Sequence, residues 1–586
     1  MADKVTGKAL DSQLVRRLFR YVRPYRKQFA GALSMTILLA ALTPLRPTLI
    51  QIALDDYVVF GNVKGLRLII LSLVVLLIVQ MLVMYANTYL TNWLGQSIIR
   101  DIRKQVFNHI LKLRLQYFDK TPIGRLQTRT INDVETLNDV FTSGLVRILG
   151  ELLQLVAILV AMLVLSWKLS LAVLTTLPLL LYATYIFKNK VKGAFQRVRN
   201  AVSEMNSFLQ EHISGMGIVH IFNREKIEMD KYDEINRDLR RAHLNSVMYY
   251  SVFYPVVEII TALTLAILVW YGAGRVMNAE LMFGELVAFI MFSQMFFRPI
   301  RLLADQFNTL QLGMVSGERI FQVLDTQEFI EDEGQHKIEA RSHAPIQLEF
   351  KGVHFAYAEP EYVLKDINLL VEPGQKVALV GSTGSGKTTI INLLSRFYEI
   401  QRGDILVDGI NIRDLELDSL RELIGVVLQD VFLFSGSIYD NITLNNPEIS
   451  LAQVQEAAKQ VGAHEFIMKL PGQYEYNVRE RGATLSLGQR QLIAFARVMA
   501  YDPRILVLDE ATANVDTESE EIIQRAVETI MSGRTSIIIA HRLSTIQKAD
   551  QIVVLSKGKI IEKGSHQDLL LREGAYYELH QMQFAG

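Results

Sequence analysis

Apolar positions along the chain follow two regimes. From Ala30 to Leu303 they run in blocks long enough to cross a bilayer, and beyond Ile346 they form short β-branched runs alternating with helical periodicity. Blocks at Ala30–Ile52, Leu66–Leu90, Leu145–Trp167, Leu169–Phe187, Phe253–Val276 and Leu286–Leu303 predict six membrane-spanning helices. An even number of spans puts both ends on one side. Two long polar stretches between blocks keep a helical period, as in Ile98, Ile102, Val106, Ile110 and Leu113. They predict extensions of the membrane helices, joined by short connections near Tyr117–Gly124 and Glu211–Phe222. Pro122, Gly124, Gly215 and Gly217 punctuate these connections. Tyr117, Phe118 and Phe222 would sit exposed beside charge in a solvated loop, so the connections are expected to make contacts.

Charge sets the orientation. The stretch after the second block carries Arg100, Arg103, Lys104, Lys112, Arg114, Lys120, Arg125 and Arg129, and the one after the fourth is basic from Lys188 to Arg241. The links on the other side hold only Lys64 and Arg67, or Arg275. Basic loops stay cytoplasmic, so both ends of the chain are expected there. Ahead of the first block, Leu10 to Phe29 mixes Arg16, Arg17, Arg20, Arg23, Arg26 and Lys27 with Leu14, Val15, Leu18, Phe19, Tyr21 and Val22. That pattern predicts a basic amphipathic helix on an anionic membrane face. No short apolar core with a small-residue cleavage site is present, so a cleaved signal peptide is not expected.

Within the second regime, Gly381-Ser-Thr-Gly-Ser-Gly-Lys-Thr388 matches a phosphate-cradling loop at every fixed position. It lies between a buried strand, Lys376–Val380, and a helix from Thr389 to Leu394. Successive backbone N–H groups and the positive end of the helix suit an anion. Lys387 is placed for the outer phosphates and Thr388 for Mg²⁺. The chain is therefore expected to bind a nucleoside triphosphate. Three other apolar runs end in polar groups: Arg504 to Asp509-Glu510, Ile424 to Gln429, and Ile537 to His541. Asp509 suits Mg²⁺ or its water, Glu510 suits the deprotonation of an attacking water, and His541 suits a γ-phosphate. Polar ends converging at one edge of a parallel sheet form a usual ligand site.

The expected organisation is an interfacial helix at 1–29, a six-helix membrane domain at 30–324, a polar linker at 325–345 and a nucleotide domain at 346–586. Half the residues are hydrophobic, formal net charge is zero and there is no cysteine. Disulfides, thiolate catalysis and cysteine-ligated zinc are excluded, and nothing pulls the chain toward nucleic acid.

Leu485-Ser-Leu-Gly-Gln-Arg-Gln491, shortly before the strand ending in Asp509-Glu510, resembles the signature of ATP-binding-cassette proteins. The set runs in family order: Tyr357 in Phe-Ala-Tyr, the phosphate loop, Gln429, the stretch Asn477–Gly482, the signature, Asp509–Thr512, Asp516 and His541. With Tyr117–Arg129 in the membrane region, it resembles the exporter branch. The resemblance implies a multidomain fold. An all-α six-helix transmembrane domain precedes an α/β P-loop ATPase domain with an added antiparallel β subdomain and a helical subdomain. It implies that Tyr357 stacks on adenine and that Gly381, Ser382, Thr383, Gly384, Ser385, Gly386, Lys387, Thr388 and Thr389 hold the phosphates of ATP. Thr388, Gln429 and Asp509 would hold Mg²⁺, mostly through water. Ser486, Gly488 and Gln489 would meet the γ-phosphate on an opposite subunit, Glu510 would be the base, and Lys387, Gln429 and His541 would complete the catalytic set. Arg479–Gly482 would crosslink domains, and the two connections would dock on nucleotide domains.

The implied function is that of an ATP-driven exporter half for amphipathic drugs or lipids, in a bacterial inner membrane. An ATP-gated channel or a regulatory membrane ATPase would carry the same motifs. Two departures stand out: Leu487 replaces a usual glycine, and Ala513-Asn-Val-Asp516 replaces a usual Ser-Ala-Leu-Asp. Both bear on the dimer contact and lead to the expectation of a different half-transporter as partner. For substrate, Glu258 is a costly carboxylate within a span, and Met295 and Phe296, beside Met291, Phe292 and Phe297, could line an apolar cavity.

Overall fold

The computed structural model describes residues 12–330, 332, 334–338, 344–509, 517–539 and 543–584. It divides into two compact units: residues 1–111 with 122–327, and residues 112–121 with 328–586. The first connection therefore folds with the second unit, although its flanking helices belong to the first.

Among its described residues the first unit has six helices long and apolar enough to cross a membrane. The second of them, Val63–Ile110, has 48 residues. At the α-helical rise it reaches about 70 Å, more than twice the hydrocarbon thickness, so its polar part must project into water. Trp167–Ser214 and Glu225–Met277 project likewise, with a break at Thr175-Thr176 in the former and Pro255 inside the latter. The turn between the third and fourth spans is a single residue, Ser166, whose side chain accepts from Leu169 N–H. The third helical run, Ile123–Leu165, holds π-helical stretches at Arg129–Asp133 and Val140–Leu145. Fully buried Ile158, Met162, Leu169, Val257, Leu268, Phe289 and Phe292 make its membrane core. The buried hydroxyls of Thr176 and Thr264 satisfy each other at 2.7 Å.

The N-terminal helix, Ser12–Val22, is amphipathic as expected, but its apolar stripe is taken up by protein. Leu18 and Val22 are buried among Leu94, Ile98, Ile102 and Phe321. Arg17 forms a two-bond pair with Asp325, 2.7 Å each, and lies 4.1 Å from the centre of the Phe321 ring. Arg16, Arg20, Arg23 and Phe19 remain exposed.

The second unit is α/β. Strands β1 (Leu348–Phe355), β2 (Leu364–Val371), β4 (Arg402–Val407) and β5 (Ile410–Asn411) form an antiparallel sheet in the order β2-β1-β4-β5. Strands β3 (Lys376–Val380), β6 (Ile424–Val427), β7 (Ile505–Asp509), β8 (Thr535–Ile539), β9 (Gln551–Ser556) and β10 (Lys559–Gly564) form the central sheet, ordered β10-β9-β3-β8-β7-β6. All its pairings are parallel except the β9–β10 hairpin. Alternate residues serve two cores. Val377, Leu379, Val507, Ile537 and Val553 pack toward the antiparallel sheet, while Ala378, Val380, Leu508, Ile538 and Val554 pack toward the helices. A sheet buried on both faces needs this period-2 supply to each side, which is why its strands read as unbroken apolar runs.

Candidate nucleotide site

The phosphate loop follows β3 directly and opens the helix Lys387–Leu394. Gly381, Gly384 and Gly386 take φ values of 153°, 80° and 107°, conformations that side chains resist. At Gly381 the sheet adds a second demand: a Cβ there would lie 2.2 Å from the Leu555 carbonyl oxygen of β9. Lys387 is buried, and its Nζ donates to the Gly381 and Ser382 carbonyls at 2.8 and 3.1 Å. Burial pushes its pKa down, and the nearby Asp509 carboxylate opposes that. Ser385 Oγ is buried with no hydrogen-bond partner among the described residues. A loop shaped by three glycines, a desolvated lysine held over it and an unspent hydroxyl fit a polyphosphate. Ser382, Thr383 and Thr388 are exposed at the mouth, and Thr389 is buried behind them.

Register brings the rest to the same edge. Leu379 of β3 pairs with Ile539 of β8, which pairs with Asp509 of β7, and Val427 of β6 pairs with Leu508. Asp509 thus ends its strand level with the loop, and exposed Gln429 follows β6 by two residues. Glu510, Asp516 and His541 lie outside the described residues, as does the segment Ala513-Asn-Val-Asp516. Glu510 nevertheless follows Asp509 in the chain, and His541 comes two residues after Ile539. Thr388, Gln429 and Asp509 are the residues that would hold Mg²⁺.

Tyr357, partly exposed, stands just beyond β1, with its hydroxyl 3.3 Å from Thr389 Oγ1 and 3.4 Å from Asn392 Nδ2. Gln401 fixes the loop that carries it: the Gln401 amide accepts from Ala356 N–H and donates to Ala356 O, both at 2.9 Å. Gln401 carries no motif signal in the sequence. Tyr398 packs edge-on to Tyr357 at 5.1 Å, and its cue in the sequence is the aromatic pair Phe397-Tyr398 just past the loop helix.

Ser486 caps the helix Leu487–Tyr501. Its Oγ accepts from Gln489 N–H at 3.2 Å, and Gln489 Oε1 accepts from Ser486 N–H at 3.0 Å. Gly488 is buried beneath this cap. Among the described residues the side chains of Ser486 and Gln489 bond only each other's backbone, and neither bonds the chain's own phosphate loop. Leu487 is the first helical residue and is not among the positive-φ positions. The glycine usual there is not required by backbone conformation in this chain. Nearby, Arg479 and Arg481 do hold positive φ, 57° and 54°, a strained loop of the kind that accompanies contacts.

The substrate candidates separate. Glu258 is exposed on its helix, with no hydrogen-bond partner among the described residues, and Met295 is half-buried. Phe296 is buried against Phe297 at 5.8 Å and packs the helix bundle rather than lining a cavity. Arg147, Glu151 and Arg298, charges inside spans read as apolar, were missed; intramembrane charge was the available signal.

A phosphate loop and an acidic strand end on a parallel sheet, in one chain with six bilayer-length helices, define a membrane-bound P-loop ATPase. Residues 29–300 match the ABC transporter transmembrane region and residues 364–513 match the family described as ABC transporter. The chain is 38% identical over 590 residues to the Bacillus subtilis (strain 168) ABC transporter ATP-binding protein YknV, covering 100% of this chain and 97% of that one. It is 35% identical over 571 residues to an ATP-dependent lipid A-core flippase of Syntrophus aciditrophicus (strain SB), covering 97% and 94%. The solved structure of a bacterial Atm1-family ABC exporter with ATP bound superposes with a TM-score of 0.76 at 28% identity, covering 96% and 99% of the two chains. The chain belongs to the ABC transporter family, in its exporter branch. It is a multi-pass membrane protein and an ATPase coupled to transport.

Proposed function

We propose that the chain is one half of an ATP-driven exporter of amphipathic compounds, working from a bacterial inner membrane with its ATPase domain in the cytoplasm. The observation that carries this reading is the alignment of the phosphate loop and Asp509 at one sheet edge in a chain with six membrane helices. Lys387, freed from the Gly381 and Ser382 carbonyls, would hold the outer phosphates. Bound Mg²⁺ would neutralise phosphate charge, held by Thr388, Gln429 and Asp509. Glu510 would take the proton from the attacking water, and His541 would orient the γ-phosphate. ATP can drive the switch only if it binds the closed dimer more tightly than the open one.

The reading calls for a dimer. Among the described residues the Ser486 and Gln489 side chains bond only each other's backbone, which fits a cap completed on the nucleotide of an opposite subunit. The exposed apolar residues Ile218, Ile221 and Phe222 of the second connection fit docking on the partner's nucleotide domain. A different half-transporter as partner loses the conformational part of its support, because Leu487 is helical; the bulk of the Leu487 side chain over a phosphate is what remains. Expressed alone, a chain built for hetero-pairing should form no dimer with two equally active sites. A self-paired, fully active dimer overturns that part.

Glu258 would face the cavity between halves and favour cationic amphiphiles. Glu258→Gln should weaken ATPase stimulation by cationic compounds more than by neutral ones, and equal loss for both would make the residue structural. For the function as a whole, Glu510→Gln should cut hydrolysis by about 10²–10⁴-fold while preserving ATP binding. In proteoliposomes the native chain should accumulate a cationic dye against its gradient. Hydrolysis without uphill accumulation of the tested dyes and labelled lipids would favour a channel or regulatory ATPase.

A further inference from the structure

The helix Leu115–Lys120 of the first connection is fastened to the second unit by its own residues. Leu113 bridges Phe329, Arg114 N–H donates to Glu328 O at 2.9 Å, and Tyr117 is buried. One further bond reaches toward the nucleotide site: the Tyr398 hydroxyl donates to Asp119 Oδ2. Tyr398 is itself buried, with its ring edge-on to Phe355 at 5.8 Å and to Tyr357 at 5.1 Å and 89°. Tyr357 in turn reaches Thr389 and Asn392 on the helix that opens at the phosphate loop. Burial, the Asp119 bond and the Asp119 charge push the Tyr398 pKa up, so its hydroxyl remains a donor at neutral pH.

We infer that Tyr398 is a positioning residue that relays occupancy of the base end of the nucleotide site to the helix Leu115–Lys120, making coupling depend on the base as well as on the phosphates. The inference rests on the reading of Tyr357 as the surface on which the base stacks. Tyr357 can tilt onto a base only by moving the ring packed at right angles to it. Close-packed aromatic contacts transmit such a shift instead of absorbing it. Among the described residues the Tyr398 hydroxyl bonds Asp119, on a segment joined covalently to two membrane helices. A triphosphate lacking a base would fill the phosphate loop without driving this path.

The chain has no cysteine, so Lys112→Cys, at an exposed site beside the helix, gives a unique position for a bimane label in the full chain in nanodiscs. Mg-ATP should change the label's fluorescence, and Mg-tripolyphosphate should change it clearly less. Tyr398→Phe and Asp119→Asn should each cut the ATP response by about two- to tenfold, the range for one coupled hydrogen bond. Combining them should cut it no further, and ATP hydrolysis without added transport substrate should persist in all three. Full responses in both variants, additive losses, or equal responses to tripolyphosphate and ATP overturn the relay. Loss of hydrolysis together with the response also overturns it, because the bond would then hold the domain together. A native chain that hydrolyses no ATP overturns the nucleotide-site reading as well, which separates the two failures.

Discussion

Gly381→Ala tests the site where local and tertiary demands coincide. The added methyl would sit 2.2 Å from the Leu555 carbonyl oxygen and 2.9 Å from Ser385 Oγ. Carbon–oxygen contacts settle near about 3.3 Å, so β9 or the loop must move by about 1 Å. Forcing a group into packed surroundings costs about 1–3 kcal/mol, and holding a side chain at φ 153° adds about 1–3 kcal/mol. The total, about 2–6 kcal/mol, has two outlets. If the loop keeps its shape the unit loses that stability; if the loop relaxes, ATP must restore it and affinity falls. Even about 2 kcal/mol corresponds to a roughly 30-fold weaker Kd. Gly384→Ala is the control: φ is 80° but none of the described residues lies within 4 Å of the new methyl, leaving the left-handed cost of about 1–2 kcal/mol. Titration with a fluorescent ATP analogue and a thermal midpoint would be measured on both variants. Gly381→Ala should lose more in the two quantities together. A Gly381→Ala chain with native affinity and midpoint, or one outperforming Gly384→Ala, would refute the reasoning.

Thr535, fully buried, donates to Ile346 O at 2.6 Å and accepts from Gly374 N–H at 3.0 Å. Thr535→Val keeps the shape and strands both backbone groups. It should cost about 2–5 kcal/mol and lower the thermal midpoint of ATPase inactivation by about 4 °C or more. His566 Nδ1 lies 2.7 Å from the Tyr576 hydroxyl, and burial, then the neighbouring His580, hold its pKa below 6.5. Its contribution to stability is therefore fully present above pH 6.5 and is lost as pH falls through the depressed folded value. Hydrogen exchange of the helix Ala575–Phe584 should accelerate on acidification across that window, and His566→Gln should flatten the change. An unaltered pH profile in the variant would exclude His566 as the titrating group.

Much of this protein was legible without coordinates. Twenty-residue apolar blocks have few alternatives to spanning a bilayer. Eight consecutive residues from Gly381 to Thr388 specify a phosphate loop because the backbone itself does the binding. Asp509 could be placed at a sheet edge because a continuous apolar strand leads to it. These signals are local, and each physical requirement is met within one stretch of chain.

Other features depended on residues far apart in sequence. The N-terminal helix has a stripe that would suit either lipid or protein. Only the presence of Ile98, Ile102 and Phe321 opposite Leu18 decides for protein. Phe296 has the same composition whether it lines a cavity or fills a bundle, and its burial against Phe297 decided for the bundle. Leu487 looked like a backbone conflict until the helix beginning there showed an ordinary helical position. The demand for glycine at Gly381 comes partly from Leu555, and the bond between Tyr398 and Asp119 spans 279 residues. Periodicity and motif record what a segment can do with its own backbone and one generic neighbour. Which neighbour it meets is set when sheet register and helix packing bring distant chain together, and that information has no local trace.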